Sequence, residues 1–319
     1  MATAVGTDVV TSIARRYILP EIIDNTYNSN PLFFRLNKAN KKIVRGGYQI
    51  EVPLMYSRFA AGGFYQGYDQ LNTSPSDTVK NGAWDWKQAY VPVTVDGLTL
   101  IKTDSPDAIA DFIRMYFAQA EMELCEVLAT GLWSDGSSDQ IDGMQLAVDS
   151  TGVYGGLDRS ANSWWAAVED ASTATMTLTA LQTHFGNLTD GGRHPTIIVS
   201  GQAQYNRYWA LNTGGQRFPS EPAGHDVQLA QAGFSNLLFN GVPWCVDSHV
   251  PVDAATGDAP VYFLNEDYIW LATSPRADFY MEDFQTAINQ DAMVAKLFWA
   301  GNLVVTNCSL QGKMTNINA

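Results

Sequence analysis

The segment GGYQIEVPLMYSRFAAGGFYQGYDQLNTSPSDTVKNGAWDWKQAYVPVTV, residues 46–95, decides how the chain is read. Near its start Tyr48, Ile50 and Val52 alternate with Gln49 and Glu51, the period of a half-buried strand. In the return stretch Trp84, Trp86 and Tyr90 share one face, with Asp85 and Lys87 on the other. From Val91 the apolar parity changes, and Val91, Val93 and Val95 take the opposite face. Such a switch marks a bulge, a strong twist, or a strand whose halves bury different faces. Between the strands, Phe59 to Gly82 is polar and Gly-rich, yet carries Phe59, Phe64, Tyr65 and Tyr68. The pattern is a long two-stranded ribbon with a ring-bearing tip.

A two-stranded hairpin alone is marginal in water. Each aromatic ring can bury ~150–250 Å², so five of them offer ~1000 Å², an upper bound of ~25 kcal/mol. Folding the rings back onto their own domain is one way to use that surface. The Gly-rich tip, the coreless segment before the ribbon and the low charge favour another: neighbouring copies of the chain supply the partner.

Of the 319 residues, 16% are charged, against about 25% in ordinary soluble domains, and 12% are aromatic. Depleted charge with added Trp and Tyr is the composition of buried interface surface. Net charge is −14, which argues against a protein that grips nucleic acid by its phosphates. The basic stretch NKANKKIVR, 37–45, is short and reads as a solvated loop. No apolar run approaches the roughly 18 residues of a membrane span, and MATAVGTDVV lacks the layout of a secretory signal. Cys125, Cys245 and Cys308 are odd in number and far apart, so free thiols in a reducing compartment are expected.

Outward from the ribbon, residues 1–42 read as an arm: an amphipathic stretch, VVTSIARRYILPEII, then a small apolar anchor, PLFFRL, with Phe33 and Phe34. After the ribbon, Ser105 as N-cap and Pro106 open a helix to about Trp133. Its apolar face is Ile109, Phe112, Ile113, Tyr116, Phe117, Ala120, Leu124, Val127 and Leu128, and its length is ~40 Å, that of a spine. Beyond a turn-rich connector, TLTALQTHFGNL is a helix with Leu178, Leu181, Phe185 and Leu188 on one face. HPTIIVSG is a buried strand, GQAQYNRYWALN a helix, and NGVPWCVDSHVP and APVYFLNEDYIWLA further strands. AMVAKLFWAGNLVVTNCSL closes the chain as two strands around Ala300-Gly301-Asn302.

Chemistry-bearing motifs are sparse. His184, His194, His225 and His249 stand at no metal-ligand spacing, and neither a nucleophile elbow nor a phosphate loop is present. Asp135, Asp139 and Asp142 miss the spacing of a calcium loop and read as a solvated turn. Glu266-Asp267 and Glu282-Asp283 are adjacent, so on strands their carboxylates would diverge. No catalytic residue, cofactor site or metal site is assigned.

The order of arm, ribbon, single long helix and mixed α/β region resembles tailed-bacteriophage major capsid proteins of the Hong Kong 97 fold. PLFFRL is similar to the family's arm anchor, HPTIIVSGQAQYNRYWAL to its buried strand and following helix, and VYFLNEDYIWLA to a later strand. NGVPWCVDSHVP resembles its strand and turn, here Gly241, Pro243, Ser248 and Pro251. The resemblance implies an α+β fold with an N-arm at 1–42 and an E-loop ribbon at 43–97. A P-domain with the spine helix would cover 98–149 and 276–319, and an A-domain 150–275. It implies a structural protein rather than an enzyme, self-assembling through pentamers and hexamers into an icosahedral shell around double-stranded DNA. Separate scaffolding, portal and decoration proteins would be partners, with assembly in the host bacterial cytoplasm, a place in the virion capsid and no membrane. The inter-subunit contacts expected on this basis are Phe59, Phe64, Tyr65, Tyr68, Trp84, Trp86, Tyr90, Phe33 and Phe34. The family's founding member cross-links a Lys to an Asn beside a Glu. Here Lys80, Lys87, Asn302 and Asn307 are present, but no matching trio is marked. Two rivals stand beside this reading: an encapsulin-type compartment with the same fold, and a carbohydrate-binding protein with Trp84, Trp86, Trp164 and Trp165 as sugar platforms.

Overall fold

Helix α1 (Pro31–Ala39) opens the computed structural model, which describes residues 30–59, 61–98, 106–137, 139–171, 174–213, 237–252, 258–286, 290–315 and 317–318. The stretch 9–23, Ser105 and His225 lie outside them. Strands β1 (Lys41–Ile43), β2 (Ile50–Met55), β3 (Val79–Trp84) and β4 (Lys87–Asp96) follow, then the spine helix α2 (Pro106–Gly131) and the single turn α3 (Met144–Ala147). Next come β5 (Val153–Tyr154), β6 (Leu157–Asp158), β7 (Val168–Asp170), β8 (Ala174–Thr175), α4 (Leu178–Asn187), β9 (Ile197–Ser200) and α5 (Gln202–Thr213). Apart from 3-10 turns at Glu266–Tyr268 and Cys308–Leu310, the elements that follow are strands: β10 (Leu237–Phe239), β11 (Val242–Val246), β12 (Val261–Leu264), β13 (Ile269–Thr273), β14 (Tyr280–Met281), β15 (Gln285–Thr286), β16 (Ala292–Val305), β17 (Gly312–Met314) and β18 (Ile317–Asn318).

Two six-stranded sheets organise these elements. The first is built on β16, which is 14 residues long. One of its edges pairs antiparallel with β4 from Ala292↔Asp96 to Gly301↔Lys87. The other takes β13, β14 and β15 in succession, and β1 adds parallel to β13. The expected pair of closing strands is therefore one strand. Gly301 does not break it, because two ladders hold the backbone there: Lys87 is opposite on one side and Thr273 on the other. A Cβ at Gly301 would lie 2.1 Å from the Ala272 carbonyl oxygen, so only glycine lets the strands approach.

The second sheet runs β10-β11-β9-β12-β17-β7. Its inner strands read as unbroken apolar runs because both faces are covered. Ile197 and Val199 of β9 join a large core with the spine helix, whereas Ile198 faces a smaller one with Leu181, Phe185, Tyr208 and Trp244. Thr177 caps α4 by accepting the Ala180 N–H at 3.2 Å. Leu181, Phe185 and Leu188 are buried as expected, but Leu178 in its first turn is exposed. Asn240 and Gly241, both at positive φ, make the tight turn between β10 and β11.

The spine helix has 26 residues, ~39 Å at 1.5 Å per residue. Ala120, Leu124 and Leu128 fall one turn apart and are buried, fixing its C-terminal half over β4 and β16. Val127 departs from the expected face and is exposed. Helix α1 plugs Leu32, Phe33 and Leu36 into the same core.

Candidate assembly surface

The ribbon is built by β2 and β3, paired antiparallel from Ile50↔Trp84 to Met55↔Val79, with the ladder continued by Tyr56 N–H to Thr78 O at 3.0 Å. Its return strand ends at Trp84. After a break at Asp85-Trp86 the chain re-enters a different sheet as β4. This break is the origin of the parity change in the sequence. Gly82 and Trp84 face inward on β3, while Val91, Val93 and Val95 face inward on β4. The switch falls some five residues earlier than the alternation suggested, so Tyr90, at 64% exposed, does not share the buried face of Trp84.

Four contacts fasten the ribbon's root to the β5–β6 hairpin and the turn after it. The Ala83 N–H donates to Gly155 O at 2.9 Å. The Trp84 ring lies on Gly155, which sits at φ +58, and a Cβ there would come within 2.8 Å of the indole. Lys80 Nζ donates to Asn162 Oδ1 at 2.6 Å. Tyr56 stacks on Trp164 with ring centroids 5.6 Å apart, and Lys80 lies 5.0 Å over the Tyr56 ring. Partial desolvation, and then Asp77 beside it, raise the Tyr56 hydroxyl above its ordinary pKa. On the other flank Trp86 Nε1 donates to Gly47 O at 3.1 Å and Gln49 to Asp85 at 2.7 Å.

Beyond the root, residues 57–59 and 61–78 carry no regular strand or helix. Their rings point away from the chain: Phe64 and Tyr68 are fully exposed, Phe59 is 74% and Tyr65 66% exposed. Tyr90 at 64% and Phe34 at 40% are exposed elsewhere, and Trp86 is half-buried. Two of the nine expected contacts are core residues instead. Trp84 is 1% exposed, edge-on to Tyr154 at 5.7 Å, and Phe33 is buried with α1. Neither offers a surface to another molecule. Their rings read as interface in the sequence because Gly155 and the spine helix, which cover them, are distant in the chain.

Among the chemistry-bearing candidates, Asn302 is fully buried, with its amide engaged inside the chain. Nδ2 donates to Asp85 O at 2.9 Å and to Asp142 Oδ2 at 2.8 Å, and Oδ1 accepts from the Asp142 and Leu303 N–H groups. Burial raises the Asp142 carboxyl above the usual carboxylate range, partly offset by Asn302. Asp135 is turned onto the Ser137 N–H, and Asp139 is exposed. His184 is buried against Phe263, and desolvation pushes it down to about 4. Sequence reading missed two networks. In one, His249 faces Glu126 at 2.6 Å and Asp247 at 3.1 Å, with Trp133 Nε1 on Asp247. In the other, Arg35 forms a two-pronged pair with Glu266 at 2.6 and 2.5 Å. Each joins residues more than a hundred positions apart, a separation that no local pattern reports.

No protein-family model matches the chain, and no curated protein matches it in sequence. Solved structures do. The capsid asymmetric unit of cyanophage A-1(L) superposes with a TM-score of 0.70 at 14% identity, covering 97% of this chain and 98% of that one. The capsid of a native GTA particle gives 0.65 at 12% identity, covering 95% of each chain. The chain has the Hong Kong 97 fold. Within that fold lies also the encapsulin complex from Synechococcus elongatus, with a TM-score of 0.61 at 12% identity over 92% of this chain and 93% of that one. Of the four rings offered as sugar platforms, Trp84 and Trp165 are fully buried and Trp164 is stacked against Tyr56, which leaves Trp86, half-buried, as the fourth. Among the described residues no helix is long and apolar enough to cross a membrane.

Proposed function

We propose that this chain is the major capsid protein of a tailed bacteriophage, a structural subunit without catalytic activity. It assembles through pentamers and hexamers into an icosahedral shell enclosing double-stranded DNA. The observation that carries the reading is the ribbon: a root strapped to its own domain, holding out an apolar tip that is exposed among the described residues. Phe59, Phe64, Tyr65 and Tyr68 at the tip, with Tyr90, Trp86 and Phe34, are the contacts to neighbouring copies. Many individually weak, symmetric contacts then close a shell of high collective stability. In this reading residues 1–42 are the N-arm, 43–97 the E-loop, 98–149 with 276–319 the P-domain and 150–275 the A-domain. Scaffolding, portal and decoration proteins are separate partners, and assembly takes place in the host cytoplasm.

Electron microscopy of the purified protein tests this. Closed particles of uniform size are expected, and a sample that stays monomeric under all assembly conditions sinks the proposal. The encapsulin relative supports a second reading, a compartment holding protein cargo. Nuclease-protected DNA inside the particles decides for the capsid, and a co-purifying enclosed protein decides for the compartment.

A further inference from the structure

Between the C-terminal half of the spine helix and the β4–β16 ladder lies a groove of about 560 Å³. It is within the ~300–1,000 Å³ range of ordinary ligand sites. Tyr90 and Val127, both exposed, give it an apolar rim; Lys87 and Glu126 line it as an opposed pair of charges, and Glu123 and Asp139 tip its charge to negative. Neither carboxylate has an ion-pair partner among the described residues. Trp299, which lines the groove, is 1% exposed, and its indole N–H has no acceptor among the described residues. A buried donor left without a partner costs on the order of 1–3 kcal/mol. The groove therefore suits an occupant with apolar side chains and positive charge.

The described chain begins at this groove. Asn30 Nδ2 donates at 3.2 Å to Oε2 of Glu126, another of its lining residues, and the buried Asn30 Oδ1 has no partner among the described residues. Ahead of Asn30, residues 9–23 place Arg15 and Arg16 among Val9, Val10, Ile13, Tyr17 and Ile18, with Glu21 the one acid, so the segment is net positive. The connection, residues 24–29, reaches at most ~20 Å. We propose that residues 9–23 of the same chain occupy the groove, with Arg15 and Arg16 against Glu123 and Asp139 and the apolar residues on Tyr90 and Val127. The competing occupant is the ribbon tip of a second copy. Charge decides against it, because residues 59–77 carry Asp69 and Asp77 and neither Lys nor Arg. The inference concerns one chain and does not rest on the capsid reading.

Photo-cross-linking of the full chain tests it, with p-benzoylphenylalanine in place of the exposed Val127 and a mixture of isotope-labelled and unlabelled protein. Cross-links from position 127 to residues 9–23 within one isotopic form are expected. The double variant Arg15→Glu, Arg16→Glu should lower their yield about fivefold, since attraction at two exposed charge pairs becomes repulsion. Adding Glu123→Lys should restore part of it. Mixed-isotope cross-links, cross-links to residues 59–71, or none to residues 9–23 would each overturn the proposal, whether or not particles form.

Discussion

On the proposed capsid reading, replacing Phe64, Tyr65 and Tyr68 with serine should separate assembly from folding, because the three rings touch almost nothing among the described residues of their own chain. Two are fully exposed and the third about two-thirds so. With ~150 Å² of ring surface each, a neighbour could cover ~400 Å², an upper bound of ~10 kcal/mol per contact. Truncation at interface hot spots usually costs nearer ~2 kcal/mol per ring, so ~6 kcal/mol is the working figure. At about 1.4 kcal/mol per factor of ten, the association constant of each contact falls by about four orders of magnitude. Sedimentation velocity and electron microscopy at micromolar protein should then show unassembled subunits only. Thermal unfolding of the subunit should move by no more than about 2 °C, since three surface substitutions at ±0.5 kcal/mol each sum to at most about 1.5 kcal/mol. Particles in normal yield refute the ribbon tip as an assembly element. A drop of more than about 5 °C in subunit Tm refutes its projection, because it would mean that the rings fold back onto their own domain.

Three further substitutions probe the scaffold behind the tip. Arg35→Met leaves buried Glu266 without its partner and should cost about 3–5 kcal/mol in urea unfolding, most of it regained by adding Glu266→Gln. Gly301→Ala drives a Cβ into the Ala272 carbonyl at the centre of the double ladder. A loss above about 4 kcal/mol is expected, seen as insoluble expression at 37 °C. His184, held down to about 4 by burial, is neutral when folded but protonates near 6.5 when unfolded. The unfolded chain thus binds the extra proton, and stability present above pH 6.5 declines by about 3 kcal/mol as pH falls to 4. His184→Gln should flatten that part of the pH–stability curve, and an unchanged curve would remove His184 as its cause.

How much of this was legible in the residues follows the range of the forces involved. The alternation Tyr48–Val52 and the 3-4 spacing from Ile113 to Leu128 each encode a local geometry, and a strand and a helix are present there, although the strand starts at Ile50 and Tyr48 before it is 94% exposed. The parity change at the ribbon's return was visible, but its cause was not. Whether it is a bulge or a change of sheet depends on β16, some two hundred residues later. Trp84 shows the limit most clearly. Its neighbours Asp85 and Trp86 gave it the look of an exposed interface ring. Its burial depends on Gly155, whose missing Cβ opens the seat for the indole. The Glu126–His249–Asp247 and Arg35–Glu266 networks are products of folding in the same sense: each residue alone is ordinary, and only the fold brings the charges together.

On the capsid reading proposed above, the strap at the root changes what the ribbon can do in an assembly. A hairpin hinged at its base would let every neighbour contact choose its own angle, and ordering it would cost conformational entropy at each interface. Here Lys80, Tyr56, Ala83 and Trp84 tie the base to the β5–β6 hairpin and its following turn, so β2 and β3 move with that domain. Adaptation is left to residues 57–59 and 61–78, where no regular hydrogen-bond ladder resists it. Direction is set at the root and fit at the tip. Weakening the strap should therefore spread the range of particle sizes while particles still form, whereas stripping the tip should prevent them. Trp164→Ala, which removes the stack under Tyr56, makes that distinction: uniform particles from this variant would show that the root does not set the angle.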